Sequence, residues 1–256
     1  MKWVRFLNDE KISYGFIMGD IVMEIEGQPY IEAKQTGRTF SLDSIKLVAP
    51  CEPTKVICIG HNYLDHVKEM NAGIPKEPTI FLKPPTTVIG PHDDIVYPSL
   101  TGNLHYEGEL AVVIKKDCKD VKKEAAGEYI FGATCANDIT ARDLQSSDVQ
   151  WTRGKGFDTF CPLGPCIETD FDFTKAWIKT TLNGDTKQSS NIDQLIFKVP
   201  EIIEYISAVM TLKAGDVILT GTSSGVGPMQ NGDRVIVEIE HIGILENTVR
   251  KALVKK

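Results

Sequence analysis

The sequence predicts an α+β protein that is mainly β. Three observations carry this. Apolar runs of strand length recur along the chain, bounded by Gly, Pro and Asn-Asp turn signals. Few stretches keep the helical period. The 256 residues, 42% hydrophobic and 25% charged, have an ordinary globular composition and suit a small domain joined to a larger one.

Taken in order, the first residues read as a small β unit with hairpin signals at Asn8-Asp9 and Gly19-Asp20. Ile21, Met23 and Ile25 alternate with Val22, Glu24 and Glu26, the pattern of a half-buried strand. The segment Pro50-Cys51-Glu52-Pro53 marks a boundary, dividing the chain into 1–52 and a catalytic domain over 53–256. Val56-Ile57-Cys58-Ile59 reads as a buried strand closed by Gly60, followed by a short helix in NYLDHVKEMNAG that ends at Gly73 and Pro75. Further strands are expected at Leu110–Ile114, Phe131–Ala136, Val217–Leu219 and Arg234–Glu240, the last with Val235, Val237 and Ile239 on one face. One helix is expected over Pro200–Thr211, with Pro200 in the first turn and Ile202, Ile206 and Val209 in one stripe. No internal repeat or low-complexity tract interrupts this order.

Composition excludes several classes of function. No apolar run reaches the roughly 18 residues of a membrane span, and MKWVRFLNDEKISYG turns polar too early for a secretory signal. The formal charge is −7, and the basic residues cluster only in the terminal KALVKK, read as a solvated end, so no nucleic-acid partner is expected. Six cysteines at 51, 58, 118, 135, 161 and 166 form no C-x-x-C pair and match no zinc spacing. Buried, reduced thiols in a cytoplasmic protein are the expected reading.

Five stretches carry candidate chemistry. In HYEGELAVVIKK, Glu107 and Glu109 stand two apart at the start of an apolar strand, so both point to one face, roughly 7 Å apart. Two such carboxylates repel unless a cation lies between them, and a hard ion such as Mg²⁺ or Mn²⁺ suits oxygen donors. Two solvated glutamates on an exposed strand end are the alternative. In CANDITARDLQ, Asp138 is a third oxygen ligand or a helix N-cap, and Arg142 with Asp143 is open to a plain surface pair. His66 and Glu69 are neighbours on a helix face: a general base with its orienting carboxylate, or an ordinary ion pair. His61, five residues earlier, is expected away from that face, which argues against a two-histidine zinc site. Lys155, between Gly154 and Gly156, either brings a positive charge to a substrate or lies on a flexible turn. Gly221-Thr222-Ser223-Ser224-Gly225 formally matches G-x-S-x-G, but Val226-Gly227-Pro228 breaks the helix that a nucleophile elbow needs. A glycine-rich loop lining a pocket through its amides is the better reading.

Together these stretches resemble the fumarylacetoacetate hydrolase family, most closely its small acylpyruvate hydrolases and 2-hydroxyhepta-2,4-diene-1,7-dioate isomerases. IGHNYLDHVKEM, PTIFLKPPTTVIGP, YEGELAVVI, NDITARDLQ, GKGFDTFCPLGP and LTGTSSGVG stand in the family's order between about Val56 and Val237. One such piece is weak; six in order are specific for the family but not for the substrate. The resemblance implies a mixed β-roll, usually a homodimer. It implies that Glu107, Glu109 and Asp138 hold Mg²⁺ or Mn²⁺, that His66 and Glu69 activate water, and that Lys155 is catalytic. It places Arg142, Gln145, Thr222, Gly221 and Lys83 with the substrate, a small 2-oxo acid of the kind met in aromatic catabolism. Three positions depart from the family pattern: His61 where Arg or Leu is frequent, Lys115 where Gly is usual, and Ser223 where Pro is usual.

The implied reaction is hydrolysis of the C–C bond of an acylpyruvate, such as fumarylpyruvate or acetylpyruvate, with a pyruvate enolate as the metal-stabilised leaving group. The same kind of site also serves an isomerase, a tautomerase or an oxaloacetate decarboxylase.

Overall fold

The computed structural model describes residues 1–71 and 73–252. Positions 253–256, most of the basic tail, lie outside the described residues. The protein is mainly β, as expected. Among the described residues the strands form three sheets.

The largest sheet begins with an antiparallel meander of Lys2–Asn8, Lys11–Met18, Ile21–Gln28 and Glu32–Ser41. Lys2–Asn8 then pairs with Cys161–Glu168. From there the order is Ile130–Asn137, Gly108–Ile114, Val217–Thr222, Val56–Gly60 and Thr79–Lys83. The N-terminal strands are thus continuous with the main sheet by hydrogen bonding. The sheet is mixed, because Val217–Thr222 runs parallel to Val56–Gly60. A five-stranded sheet (Asp185–Asn191, Trp177–Leu182, Arg234–Ile239, Gly243–Lys251, Asp94–Tyr97) packs across it, and a three-stranded sheet joins Thr140–Ala141, Leu104–Tyr106 and Gly227–Met229.

Gly108–Ile114 is buried at every position. Alternation sends Val112 and Ile114 into the core beneath the helix Val199–Val209, while Ala111 and Val113 face the opposite core with Val56, Cys58 and Leu219. A strand covered on both faces reads as a continuous apolar run, which is why ELAVVI is recognisable. Val235, Val237 and Ile239 share a buried face as predicted.

Two local expectations are corrected. In Ile21–Gln28 the buried residues are Val22, Glu24 and Ile25, with Ile21 exposed, because an irregularity in the pairing between Met23 and Ile25 switches the face. In Val199–Val209 the buried stripe is Ile202, Ile203 and Ile206, and Val209 is 59% exposed, since that last turn runs past the sheet it covers. All six cysteines are buried and unpaired.

Glu24 is a buried carboxylate held by Ser13 Oγ at 2.9 Å, Thr36 Oγ1 at 2.8 Å and Arg38 Nε at 2.5 Å. Burial disfavours its charge, but these hydrogen bonds outweigh burial and hold its pKa below the ordinary 4.5. A depressed folded pKa contributes stability that is present above the unfolded value and is lost as pH falls through the folded one. Arg38 is 57% exposed, so solvent screens its share, and the Thr36 hydroxyl stands first among the bonds that hold the charge. Glu24→Gln therefore lowers stability by about 1–3 kcal/mol near neutral pH, and the gap to wild type closes below pH 4.5. Melting curves of both proteins between pH 3 and 8, roughly the range where carboxylates titrate, check this. A gap that does not change with pH would refute it.

Candidate active site

The register of the central strands builds the site. Gly108 lies opposite Asn137, so the residue before one strand meets the residue after the other. Glu107 N–H donates to Asn137 Oδ1 at 2.9 Å, and Asp138 N–H donates to the Glu107 carbonyl at 2.8 Å. Residues 31 apart in sequence thereby become neighbours. On the other side, Glu109 lies opposite Thr222, and Gly221 N–H donates to Glu109 Oε2 at 2.6 Å. Gly221 has φ +103, and a Cβ there would stand 2.7 Å from that of Asn62, so only glycine lets the amide reach the carboxylate.

Glu107, Glu109 and Asp138 are all buried, and one carboxylate oxygen from each lies within 4.8 Å of the others. Lys155 Nζ donates to Glu107 Oε2 at 2.8 Å and to Asp138 Oδ2 at 2.7 Å. Arg142 bonds Glu107 Oε1 and donates to Gln145 Oε1 at 2.5 Å. Burial opposes ionisation of Glu107, but the charges of Lys155 and then Arg142 hold its carboxyl well below the usual range. Burial likewise opposes the charge of Lys155, and Asp138 and Glu107 raise its pKa above the ordinary 10.5. Glu109 differs. Burial, then Asp138 and Glu107, push it well above the carboxylate range. Among the described residues no Lys, Arg or His forms an ion pair with it. Three oxygen donors with one uncompensated carboxylate fit a hard divalent cation.

His66 Nδ1 lies 2.9 Å from Glu69 Oε2. A carboxylate only accepts, so Nδ1 carries the proton, and in the neutral ring Nε2 keeps the lone pair. Both ends of the helix Leu64–Glu69 are tied to the glycine-rich loop: Ser224 Oγ donates to Asp65 Oδ2 at 2.8 Å, and Gly225 N–H to Glu69 Oε1 at 2.9 Å. His66 and the carboxylate cluster line one cavity of about 260 Å³, with His61, Arg142, Gln145, Lys155 and Thr222 in its wall.

The open alternatives of the sequence resolve here. Asp138 is not an N-cap, because the following helix, Arg142–Ser147, is capped at Ala141. Arg142 and Asp143 do not pair; Asp143 accepts from Thr101, Gly102 and Leu144. Lys155 ends a one-turn helix, Thr152–Lys155, and is 2% exposed rather than on a flexible turn. Lys83, placed with the substrate, is instead buried behind the cluster, where its ammonium donates to Asp138 Oδ1 at 2.6 Å and the Ile139 carbonyl at 3.1 Å. His61 is not turned away: its ring lies 6.3 Å from that of His66, because it precedes the helix and is aimed by the loop. Gly221-Thr222-Ser223 ends a strand with no helix after it, so the nucleophile-elbow reading stays rejected.

Sequence reasoning missed two braces. Gln188 accepts from Gly108 N–H at 2.9 Å and donates to Thr222 Oγ1 at 2.7 Å and the Ser223 carbonyl at 2.8 Å. Asn62 donates to the Thr220 carbonyl at 2.7 Å and accepts from Phe197 N–H at 2.8 Å. Phe81, Trp151 and Met70 of the cavity wall were also missed. Only Asn62 carried a signal, a polar residue two positions after a buried strand.

The chain matches the family model described as fumarylacetoacetate (FAA) hydrolase C-terminal over residues 55–250. It belongs to the fumarylacetoacetate hydrolase family. Residues 1–50 match a second model, described as Rv2993c-like, N-terminal. Oxaloacetate tautomerase YisK of Bacillus subtilis is 45% identical over 226 residues, covering 82% of this chain and 75% of that protein. The crystal structure of 5-carboxymethyl-2-hydroxymuconate delta-isomerase from Mycobacterium smegmatis superposes with a TM-score of 0.93 at 43% identity, covering 98% of this chain and 100% of that one. Maleylpyruvate hydrolase from Sphingobium sp. SYK-6, solved with manganese(II) and pyruvate, gives a TM-score of 0.83 at 30% identity, covering 99% and 100%. The protein is thus an enzyme of a family that includes tautomerases, isomerases and hydrolases. No helix of the described residues is long and apolar enough to cross a membrane.

Proposed function

We propose that this enzyme is a divalent-metal-dependent hydrolase of 2,4-dioxo acids, acylpyruvates such as fumarylpyruvate or acetylpyruvate, that releases pyruvate. The observation that supports this is the meeting, in one cavity, of an all-oxygen carboxylate cluster and a carboxylate-oriented imidazole.

Glu107, Glu109 and Asp138 would hold Mg²⁺ or Mn²⁺. Bound there, the ion would supply Lewis-acid stabilisation of the negative charge that develops on the substrate. His66 Nε2 takes a proton from water, with Glu69 stabilising the imidazolium. The hydroxide adds to the 4-carbonyl, the bond between carbons 3 and 4 breaks, and its electron pair leaves on pyruvate as the enolate. The proton on His66 is returned to carbon 3. Lys155 holds a positive charge beside the developing enolate. Arg142, Gln145, Thr222 and the Gly221 amide loop position the substrate.

A second reading is favoured by the 45% identity to oxaloacetate tautomerase YisK: His66 moves a proton between carbon 3 and the 2-oxygen, and no C–C bond breaks. Product analysis separates the two. The enzyme is given acetylpyruvate, fumarylpyruvate and oxaloacetate with Mg²⁺ or Mn²⁺, with and without a chelator. Chelator-sensitive release of pyruvate and the matching acid is expected. Metal-dependent enolisation without cleavage transfers the function to the tautomerase reading, and carbon dioxide from oxaloacetate transfers it to a decarboxylase. Turnover that survives chelation overturns the metal assignment.

A further inference from the structure

We propose that His61 reads the far end of the substrate: its imidazole hydrogen-bonds a second carboxylate, so that the enzyme selects 2-oxo dicarboxylates over 2-oxo acids ending in an alkyl group. This rests on the 2-oxo acid reading of the site given above.

His61 is the first residue after the strand Val56–Gly60 and has φ 56, a left-handed conformation that residues other than glycine adopt only where their surroundings hold them in it. That turn sends its ring into the cavity wall. Trp151 holds the ring there, edge to face, with centroids 5.8 Å apart and planes at 84°. Trp151 is itself set against Phe81 at 5.2 Å. Gly60 makes this possible, since a Cβ there would come within 2.8 Å of the indole.

The other basic groups of the wall are committed. His66 faces Glu69, Lys155 bridges Glu107 and Asp138, and Arg142 bonds Glu107 and Gln145. Among the described residues, no hydrogen bond engages the His61 ring. Among the described residues it is the one imidazole or cation of the wall left without a partner.

The groups that face it are His66, Lys155 and Arg142, with Glu107 opposing. Burial, then His66, lowers its pKa below the ordinary 6.5, so in the free enzyme at neutral pH the ring is uncharged. It then offers one N–H to a ligand in the cavity. Ile59, Met70, Phe81 and Trp151 supply the apolar wall for the carbon skeleton between the two ends. A terminal carboxylate satisfies the imidazole; a terminal methyl group leaves it unpaired. A site built to bond a polar group rejects an analogue that lacks it more strongly than an apolar pocket rejects a misfit.

The test uses metal-loaded enzyme and calorimetric binding of three probes. Oxalate has only the chelating end. 2-Oxoglutarate and 2-oxopentanoate have equal chain length and end in carboxylate and methyl. The variants are His61→Phe, which keeps a ring against Trp151, and His61→Gln, which keeps a donor. Wild type is expected to prefer 2-oxoglutarate. His61→Phe should weaken 2-oxoglutarate binding by about ten- to a hundredfold and leave oxalate within about twofold, the limit of an indirect effect, with 2-oxopentanoate bound no more weakly than by wild type. His61→Gln should recover part of the loss. If oxalate binds all forms alike and His61→Phe does not alter 2-oxoglutarate binding, the role of His61 is overturned while the site reading stands. Equal weakening of all three probes also overturns it, by reducing His61 to a support for Trp151. Failure of oxalate to bind wild type overturns the site reading itself.

Discussion

Glu109→Gln lowers turnover by about 10³-fold or more and, measured without metal, raises the melting temperature. The two effects have one cause. Glu109 is 2% exposed, and among the described residues its carboxylate has one hydrogen bond, from the Gly221 amide. Burial, Asp138 and Glu107 all work against its charge. In the metal-free protein this carboxylate is a liability, and its neutral isostere relieves it by about 1–3 kcal/mol, a rise of several degrees for a chain of this size. In the proposed metal site the same charge is the ligand that holds a divalent ion. Metal therefore stabilises wild type and leaves the variant nearly unmoved. Melting curves with and without Mn²⁺, beside turnover at saturating substrate, check both halves. Full activity in folded Glu109→Gln, or a metal-induced shift equal to that of wild type, would falsify the assignment of Glu109 as a metal ligand.

His66→Gln lowers turnover by about 10²–10⁴-fold, the usual worth of a positioned general base, but leaves the metal-induced rise in melting temperature intact. The imidazole is buried and bonded to Glu69 at 2.9 Å, and among the described residues it makes no bond to the carboxylate cluster. Proton transfer and metal binding are therefore separable here, and the pair of readouts tells His66 from Glu109. Glu69→Gln has a smaller effect, since the ring and its tautomer keep a hydrogen-bonding neighbour. Turnover of His66→Gln within about tenfold of wild type, below the worth of a general base, would remove His66 from the mechanism.

Some of this was legible in the sequence because it is local. The strand Gly108–Ile114 is announced by an unbroken apolar run, Arg234–Ile239 by alternation, and the dyad by the three-residue spacing of His66 and Glu69. Each depends on the period of one element, which neighbouring residues encode. Where a local irregularity intervenes, the same reasoning fails, as at the bulge that turned Glu24 inward and Ile21 out.

The sequence by itself determined the β-rich class, the paired glutamates and the histidine with its carboxylate. Only the tertiary structure decided which of these meet. The register of Gly108 against Asn137 set Asp138 beside Glu107. A single helical turn drove Lys155 between two carboxylates, and Lys83 was drawn behind Asp138 instead of toward the cavity. Gln188, from a different sheet, clamps the strand that carries Glu109 to the glycine-rich loop. The physical reason is that a buried charge or amide is tolerated only where partners converge on it. In this protein those partners lie tens of residues away, and no local pattern names them.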